Sequence, residues 1–113
     1  MTNISIEKID REVESLLSNY ESIRQVLKKL SQYVIDLISV LYGDDVDRCV
    51  KYLFEDISKS REYILATYLC IALLISNHRI DVEDIPEDVA RDLISKLLIL
   101  YEKIKHIRKL LKN

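Results

Sequence analysis

Apolar residues recur at steps of three and four positions along most of the chain. The first series consists of Ile6, Ile9, Val13, Leu16, Tyr20, Ile23, Leu27, Leu30, Val34, Leu37 and Leu41. These residues occupy the a and d positions of successive heptads, which is typical of a long helix that packs along one side. The series predicts one helix over about residues 5–42. Ser18 and Asn19 lower the helix propensity in its middle, so a break near residue 19 is the alternative.

A second series keeps the same step through residues 46–77. Its members are Val46, Val50, Leu53, Ile57, Ser60, Ile64, Thr67, Ile71 and Leu74. Within it, residues 63–75 carry no charge for thirteen positions. A helix that is apolar all round must be covered on every side, and this one is shorter than the roughly 20 residues that span a bilayer. We therefore predict a buried helix here, around which the rest of the chain is organised.

A third series predicts a helix over about residues 86–112. Its a and d positions are Ala90, Leu93, Leu97, Leu100, Ile104, Ile107 and Leu111. At its start, Asp84 is a candidate N-cap, Pro86 fits the first turn, and Glu87 completes a capping box. The apolar residues expected to fold back onto the bundle from the preceding loop are Ile80, Val82 and Ile85.

The connection between the first two predicted helices is short. Gly43 is the only glycine and is well placed to end the first helix in a left-handed conformation. Asp44 or Asp45 can then cap the second helix, and Asp47 adds negative charge to its first turn. A tight connection makes the two helices antiparallel neighbours.

Together these patterns predict a single all-α domain over residues 1–113, with no strand pattern anywhere. We expect an antiparallel bundle of three long helices, or four if the first breaks near residue 19, with coiled-coil-like heptad packing. Helices of these lengths span roughly 55, 48 and 40 Å and do not match. The surplus stripe at the start of the first helix then needs a cover from another chain. The candidate protein interface is Ile6, Ile9, Val13, Leu16 and Tyr20, giving a homo- or hetero-oligomer through the first helix.

Composition narrows the class of protein. Of the 113 residues, 49% are hydrophobic and 32% charged, which is globular composition, and its richness in Ile, Leu, Lys and Glu suits a thermophile. Cys49 and Cys70 lie on one predicted helix, roughly 30 Å apart, which is too far for a disulfide. We expect two reduced, mostly buried thiols in a cytoplasmic protein with no membrane segment.

Few residues suggest chemistry. His78 lies in the loop beside several carboxylates, but the spacing matches no established metal motif, and we interpret it as a surface residue. His106 lies at the basic end of the third helix. One glycine excludes a Gly-rich phosphate loop. We expect no enzyme activity, no cofactor, no metal and no small-molecule substrate.

A basic cluster at the chain's end is the candidate nucleic-acid patch. The net charge is −2, so nucleic-acid binding needs such a local patch. Its members are Lys103, Lys105, Arg108, Lys109 and Lys112. Lys105, Arg108 and Lys112 share one helix face, which could hold phosphates without reading sequence. A solvated helix end that complements the helix dipole is the alternative interpretation.

Two stretches resemble known families. Residues 9–17, IDREVESLL, resemble the opening helix of the helical chorismate mutases. Where that family places active-site Arg and Lys further along the helix, this chain has Tyr20 and Ser31, so the resemblance implies a shared helix pattern and no mutase activity.

Residues 61–74, REYILATYLCIALL, resemble the central helix of the α-helical domain of GINS subunits. The acidic, proline-led region 84–111 is similar to the helix that follows in that family. Ala72-Leu73 and Ile75 stand where the family has an Arg-Leu step and a Lys, and no segment corresponds to its small β-domain. The resemblance implies a non-enzymatic subunit that bridges a replicative helicase to its partners in DNA replication.

The sequence therefore favours a non-catalytic helical assembly or adaptor protein that acts through protein–protein packing, with a GINS-like replication subunit as its most specific form. The alternative is a small nucleic-acid-binding protein that uses the basic end of the third helix.

Overall fold

A computed structural model describes residues 5–19, 22–43, 45–59 and 63–111. These ranges contain five α-helices: α1 (Ile6–Ser18), α2 (Ile23–Tyr42), α3 (Val46–Lys59), α4 (Tyr63–Ser76) and α5 (Glu87–Leu111). A short 3₁₀ helix, Val82–Asp84, precedes α5. No strand occurs within the described ranges, so the predicted all-α class is confirmed.

The first predicted helix is two helices, α1 and α2. Ser5 caps α1 by accepting the Lys8 N–H at 3.1 Å. At the other end, the Ser18 hydroxyl donates to the Glu14 carbonyl, and α1 stops at its C-cap, Asn19. Ser and Asn compete with the helix for its backbone groups, which favours an end at this point. The continuous helix over residues 5–42 is therefore wrong, and the alternative break near residue 19 is confirmed.

The second predicted helix is also two helices, α3 and α4, which contact each other. The structure thus has five α-helices in its described ranges, where the sequence predicts three or four. The molecule measures 39 × 29 × 22 Å. A continuous first helix of roughly 55 Å does not fit within it.

The central element is α2. It contacts α1, α3, α4, α5 and the 3₁₀ helix. Its fully buried residues are Leu27, Leu30, Val34, Leu37 and Ile38. Ser31 is also buried, and its hydroxyl donates to the Leu27 carbonyl at 2.8 Å, so its polar group is satisfied. The core is therefore organised around α2, and not around residues 63–75 as the sequence predicts.

The third predicted helix is α5, and its core face is the predicted one. The buried members of its series are Ala90, Leu93, Leu97, Leu100 and Ile104. The side chains of Ile107 and Leu111 lie outside the described part of the chain. The preceding loop packs as expected, because Val82 is buried and both Ile80 and Ile85 contact the core.

Of the residues predicted to begin or end helices, Gly43 and Asp45 take the predicted positions and Asp84 does not. Gly43 ends α2 with a positive φ of 106°, and the Asp45 carboxylate accepts the Arg48 N–H at the start of α3. Asp44 lies outside the described residues. Asp84 does not cap α5 but ends the 3₁₀ helix, which Asp81 caps by accepting the Glu83 N–H.

The end of α4 has a defined turn. The Arg79 N–H donates to the Leu74 carbonyl at 2.8 Å, and the His78 N–H donates to the Ile75 carbonyl at 3.1 Å. This pair of bonds is the Schellman motif, in which the C′ residue takes the left-handed conformation. His78 occupies that position with φ of 62°.

Candidate protein-interaction surface

One side of α4 packs into the molecule. Its buried residues are Leu65, Ala66, Leu69, Ala72 and Ile75. The two alanines allow close packing, and α4 contacts α2, α3 and α5. These neighbours cover one side of the helix only.

The other side of α4 faces solvent. We call it the α4 face; its residues are Ile64, Thr67, Cys70, Ile71 and Leu74. Ile64 is 65% exposed and Leu74 is 40% exposed, while Ile71 is half-buried. The prediction that residues 63–75 are covered on every side is therefore wrong. The described helices pack around α2, and none of them covers the outer side of α4.

The α4 face differs in charge from other exposed helix surfaces. α4 contains no charged residue. By contrast, α1 exposes Glu7, Lys8 and Arg11, and α5 exposes Glu87 and Arg91. Removing apolar surface from water lowers the free energy, and contiguous exposed apolar patches mark interaction sites. The α4 face is thus chemically suited to pack against another apolar surface.

The predicted interface on the first helix is largely inside the molecule. Ile6, Ile9 and Val13 are buried, and Leu16 is half-buried against the core. Tyr20 lies outside the described residues. Because α1 packs against α2, the chain itself covers the stripe for which the sequence predicts a partner. Those three buried residues therefore need no second chain to cover them.

A polar cluster links α1 to α5. The Tyr101 hydroxyl donates to the Asp10 carboxylate at 2.5 Å, and the Lys105 ammonium lies 3.1 Å from the same carboxylate. Lys105 also lies 5.6 Å from the centroid of the Tyr101 ring. Burial raises the pKa of Tyr101, and the bond to Asp10 raises it further. The hydroxyl therefore stays protonated and serves as a donor between the two helices.

This cluster engages part of the predicted nucleic-acid patch. Lys105 is 27% exposed and paired with Asp10, with Glu102 at 4.0 Å. Lys103 is half-buried. The side chains of Arg108 and Lys109, and the whole of Lys112, lie outside the described part of the chain. The structure therefore brings no open basic strip together among the described side chains.

An open groove of about 620 Å³ lies between α1 and α2. Glu12, Lys29 and Tyr33 are among its lining residues. Burial raises the pKa of Tyr33, and the Glu12 and Asp36 carboxylates raise it further. Tyr33 is therefore a neutral hydrogen-bonding group. The carboxylates of Glu12 and Asp36 lie near it, but these three groups do not by themselves define a reaction.

The other candidate residues are at the surface. His78 and His106 are exposed, and Cys70 is exposed with a free thiol, so the prediction of a buried Cys70 is wrong. The side chain of Cys49 lies outside the described residues. Within the described ranges no group of three His, Cys, Asp or Glu side chains could hold a metal ion.

Comparisons with protein families, curated proteins and solved structures find no match to this chain. Across the ranges that the structure describes, every helix is too short or too polar to cross a membrane.

The sequence contains a signal that distinguishes the two sides of α4. The heptad step selects Ile64, Thr67, Ile71 and Leu74, which the structure places on the exposed side. The buried side instead contains Ala66 and Ala72. Small side chains permit a close approach between packed helices, and in α4 the two alanines mark the core side, which the heptad step does not.

Proposed function

We propose that the protein is a non-catalytic helical assembly or adaptor protein and that the α4 face is its main binding surface. The supporting observation is the solvent exposure of Ile64 and Leu74 on a helix without charge. Such a surface recognises its partner by shape and by burial of apolar area.

A protein fits this surface better than a nucleic acid does. Nucleic-acid binding depends mainly on cationic side chains that neutralise phosphates, and the α4 face has none. Lys105, a central member of the basic patch, is already paired with Asp10. The exposed apolar side chains of the α4 face therefore support a protein partner more directly than a nucleic acid.

Photocrosslinking in the source cells tests this proposal. A photoreactive amino acid replaces Thr67 at the centre of the α4 face. A second chain carries it at Arg91, which is exposed on α5, as the matched control. We expect a discrete crosslinked product from position 67 that is absent or several-fold weaker from position 91. Equal, diffuse labelling from both positions would contradict a binding role for the α4 face.

The GINS-like replication subunit is the most specific form of this proposal, and the cytoplasm is its expected location. Both rest on the sequence resemblance and composition. In the same experiment, mass spectrometry of the crosslinked product identifies the partner. A component of the replicative helicase assembly would support the GINS-like form, and a partner from another process would contradict it.

A further inference from the structure

We infer that the partner on the α4 face is a second copy of this chain, with the two α4 helices antiparallel around a two-fold axis that lies on the solvent side of α4, level with residue 69 along the helix. This inference rests on the proposed function, because it names the occupant of the same surface. The charge and the spacing of the α4 face support it.

The charge of the face restricts the occupant. A charged side chain placed against Ile64, Ile71 or Leu74 would lose water and meet no counter-charge on α4 itself, which carries none. An apolar, uncharged strip about one helix long therefore fits this face better than a charged one. α4 is itself such a strip, and it is exposed on every copy of the chain.

The spacing of the face is self-complementary. Ile64 and Leu74 are each five residues from Leu69, and Thr67 and Ile71 are each two residues from it. In an antiparallel pair centred there, Ile64 faces Leu74 of the second copy, and Thr67 faces Ile71 of the second copy. A small side chain thus meets a large one at the centre, and two large apolar side chains meet at each end. This reciprocal pairing is what a two-fold interface requires.

The size of the face predicts a reversible dimer. A stable interface buries about 800 Å² on each partner. Five partly exposed side chains of one helix supply less than this area, so we expect a dimer that dissociates on dilution, at about micromolar concentrations.

A charge-swap experiment tests both the partner and the orientation. Ile64→Lys and Leu74→Glu are made singly and together, and dimerisation is measured by analytical ultracentrifugation. Each single change places a charge against an apolar side chain twice per dimer, so we expect dissociation constants about 100-fold higher or more. In the antiparallel pair the double variant sets opposite charges against each other, and dimerisation should recover by at least about tenfold over either single variant. Glu14→Lys, an exposed charge change on α1, is the control and should leave the dimer unchanged.

The other outcomes overturn the inference. A dimer that survives both single changes uses a different surface, and failure of the double variant to recover excludes the antiparallel register. Circular dichroism confirms that each variant is folded, which both exposed positions should allow. If the unmodified chain is monomeric but position 67 still crosslinks to one other protein, this inference fails and the proposed function stands. If position 67 also gives no discrete product, both fail.

Discussion

His78 is a single residue that the backbone places in an unfavourable conformation. It occupies the left-handed C′ position after α4, with φ of 62°. Residues with a Cβ pay about 1 kcal/mol or more for this conformation, whereas glycine does not. The hydrogen bonds from His78 and Arg79 back to α4 hold the turn in place despite this cost.

Replacing His78 with glycine should therefore stabilise the protein. The relief of strain exceeds the entropy that glycine adds to the unfolded chain, so we expect the free energy of unfolding to rise by about 0.5–1 kcal/mol. Urea denaturation measures the change. Asn77→Gly, one residue earlier and without a positive φ, is the control and should be neutral or destabilising. A loss of stability in His78→Gly would show that its side chain contributes more than its backbone conformation costs.

The folded state disfavours ionisation of the Asp36 carboxyl group. Burial raises the pKa of its carboxyl, the hydrogen bond from the Gln32 amide at 2.9 Å lowers it, and the Glu12 carboxylate raises it again. The net direction is upward from the ordinary value of 3.8. The folded state therefore binds the proton more tightly than the unfolded state, so this group's contribution to stability falls as the pH rises above 3.8.

Asp36→Asn removes this pH dependence. The stability of the variant relative to the natural protein should increase from about pH 3 to neutral pH and then level off. Urea denaturation at a series of pH values measures it. Glu55→Gln, an exposed carboxylate-to-amide change on α3, is measured alongside as the control. A relative stability of Asp36→Asn that declines with pH would mean that the folded state favours the ionised carboxylate.

At the scale of elements, α1 depends on a polar contact with α5 as well as on its apolar stripe. The Tyr101 hydroxyl, on a side chain only 2% exposed, donates to Asp10 on α1. A buried hydroxyl that loses its acceptor costs more than the net value of the bond, because it cannot regain water. The contact therefore helps to fix where α1 docks.

A double-mutant cycle on Tyr101→Phe and Asp10→Ala measures this coupling. We expect an interaction energy of about 1–3 kcal/mol from urea denaturation. In Tyr101→Phe, amide hydrogen exchange should quicken in α1 more than in α2. Tyr52→Phe removes a hydroxyl from an exposed ring and should change stability by less than about 0.5 kcal/mol. Additive effects of the two changes would show that the bond does not anchor α1.

How far the sequence predicts an element depends on whether that element has a polar side. α2 and α5 carry charges opposite their apolar stripes, and their stripes are buried as expected at positions such as Leu30, Val34 and Leu97. α4 has no polar side, so its periodicity does not determine which side faces the core. The heptad phase of α3, extended into α4, selects Ile64 and Leu74, which are exposed.

At the scale of the whole molecule, the division of two predicted helices into α1 and α2 and into α3 and α4 changes the expected shape. The stripe of α1 and α2 continues in phase across residue 19, so periodicity alone favours one long helix. Because α1 packs against α2, Ile6, Ile9 and Val13 reach the core, and the molecule needs no partner to cover them. On α4, by contrast, Ile64 and Leu74 stay exposed. Periodicity indicates that apolar area must be covered, but only the tertiary arrangement determines which area the chain covers itself.

The chain completes its own core around α2, and we propose that it associates through the α4 face. The most direct test is the solution mass of the unmodified chain, by size-exclusion chromatography with light scattering over a range of concentrations. We predict a mass of 13.3 kDa in dilute solution, which rises towards twice that value as the concentration increases. A constant mass of one chain up to about 1 mM would contradict self-association through this face.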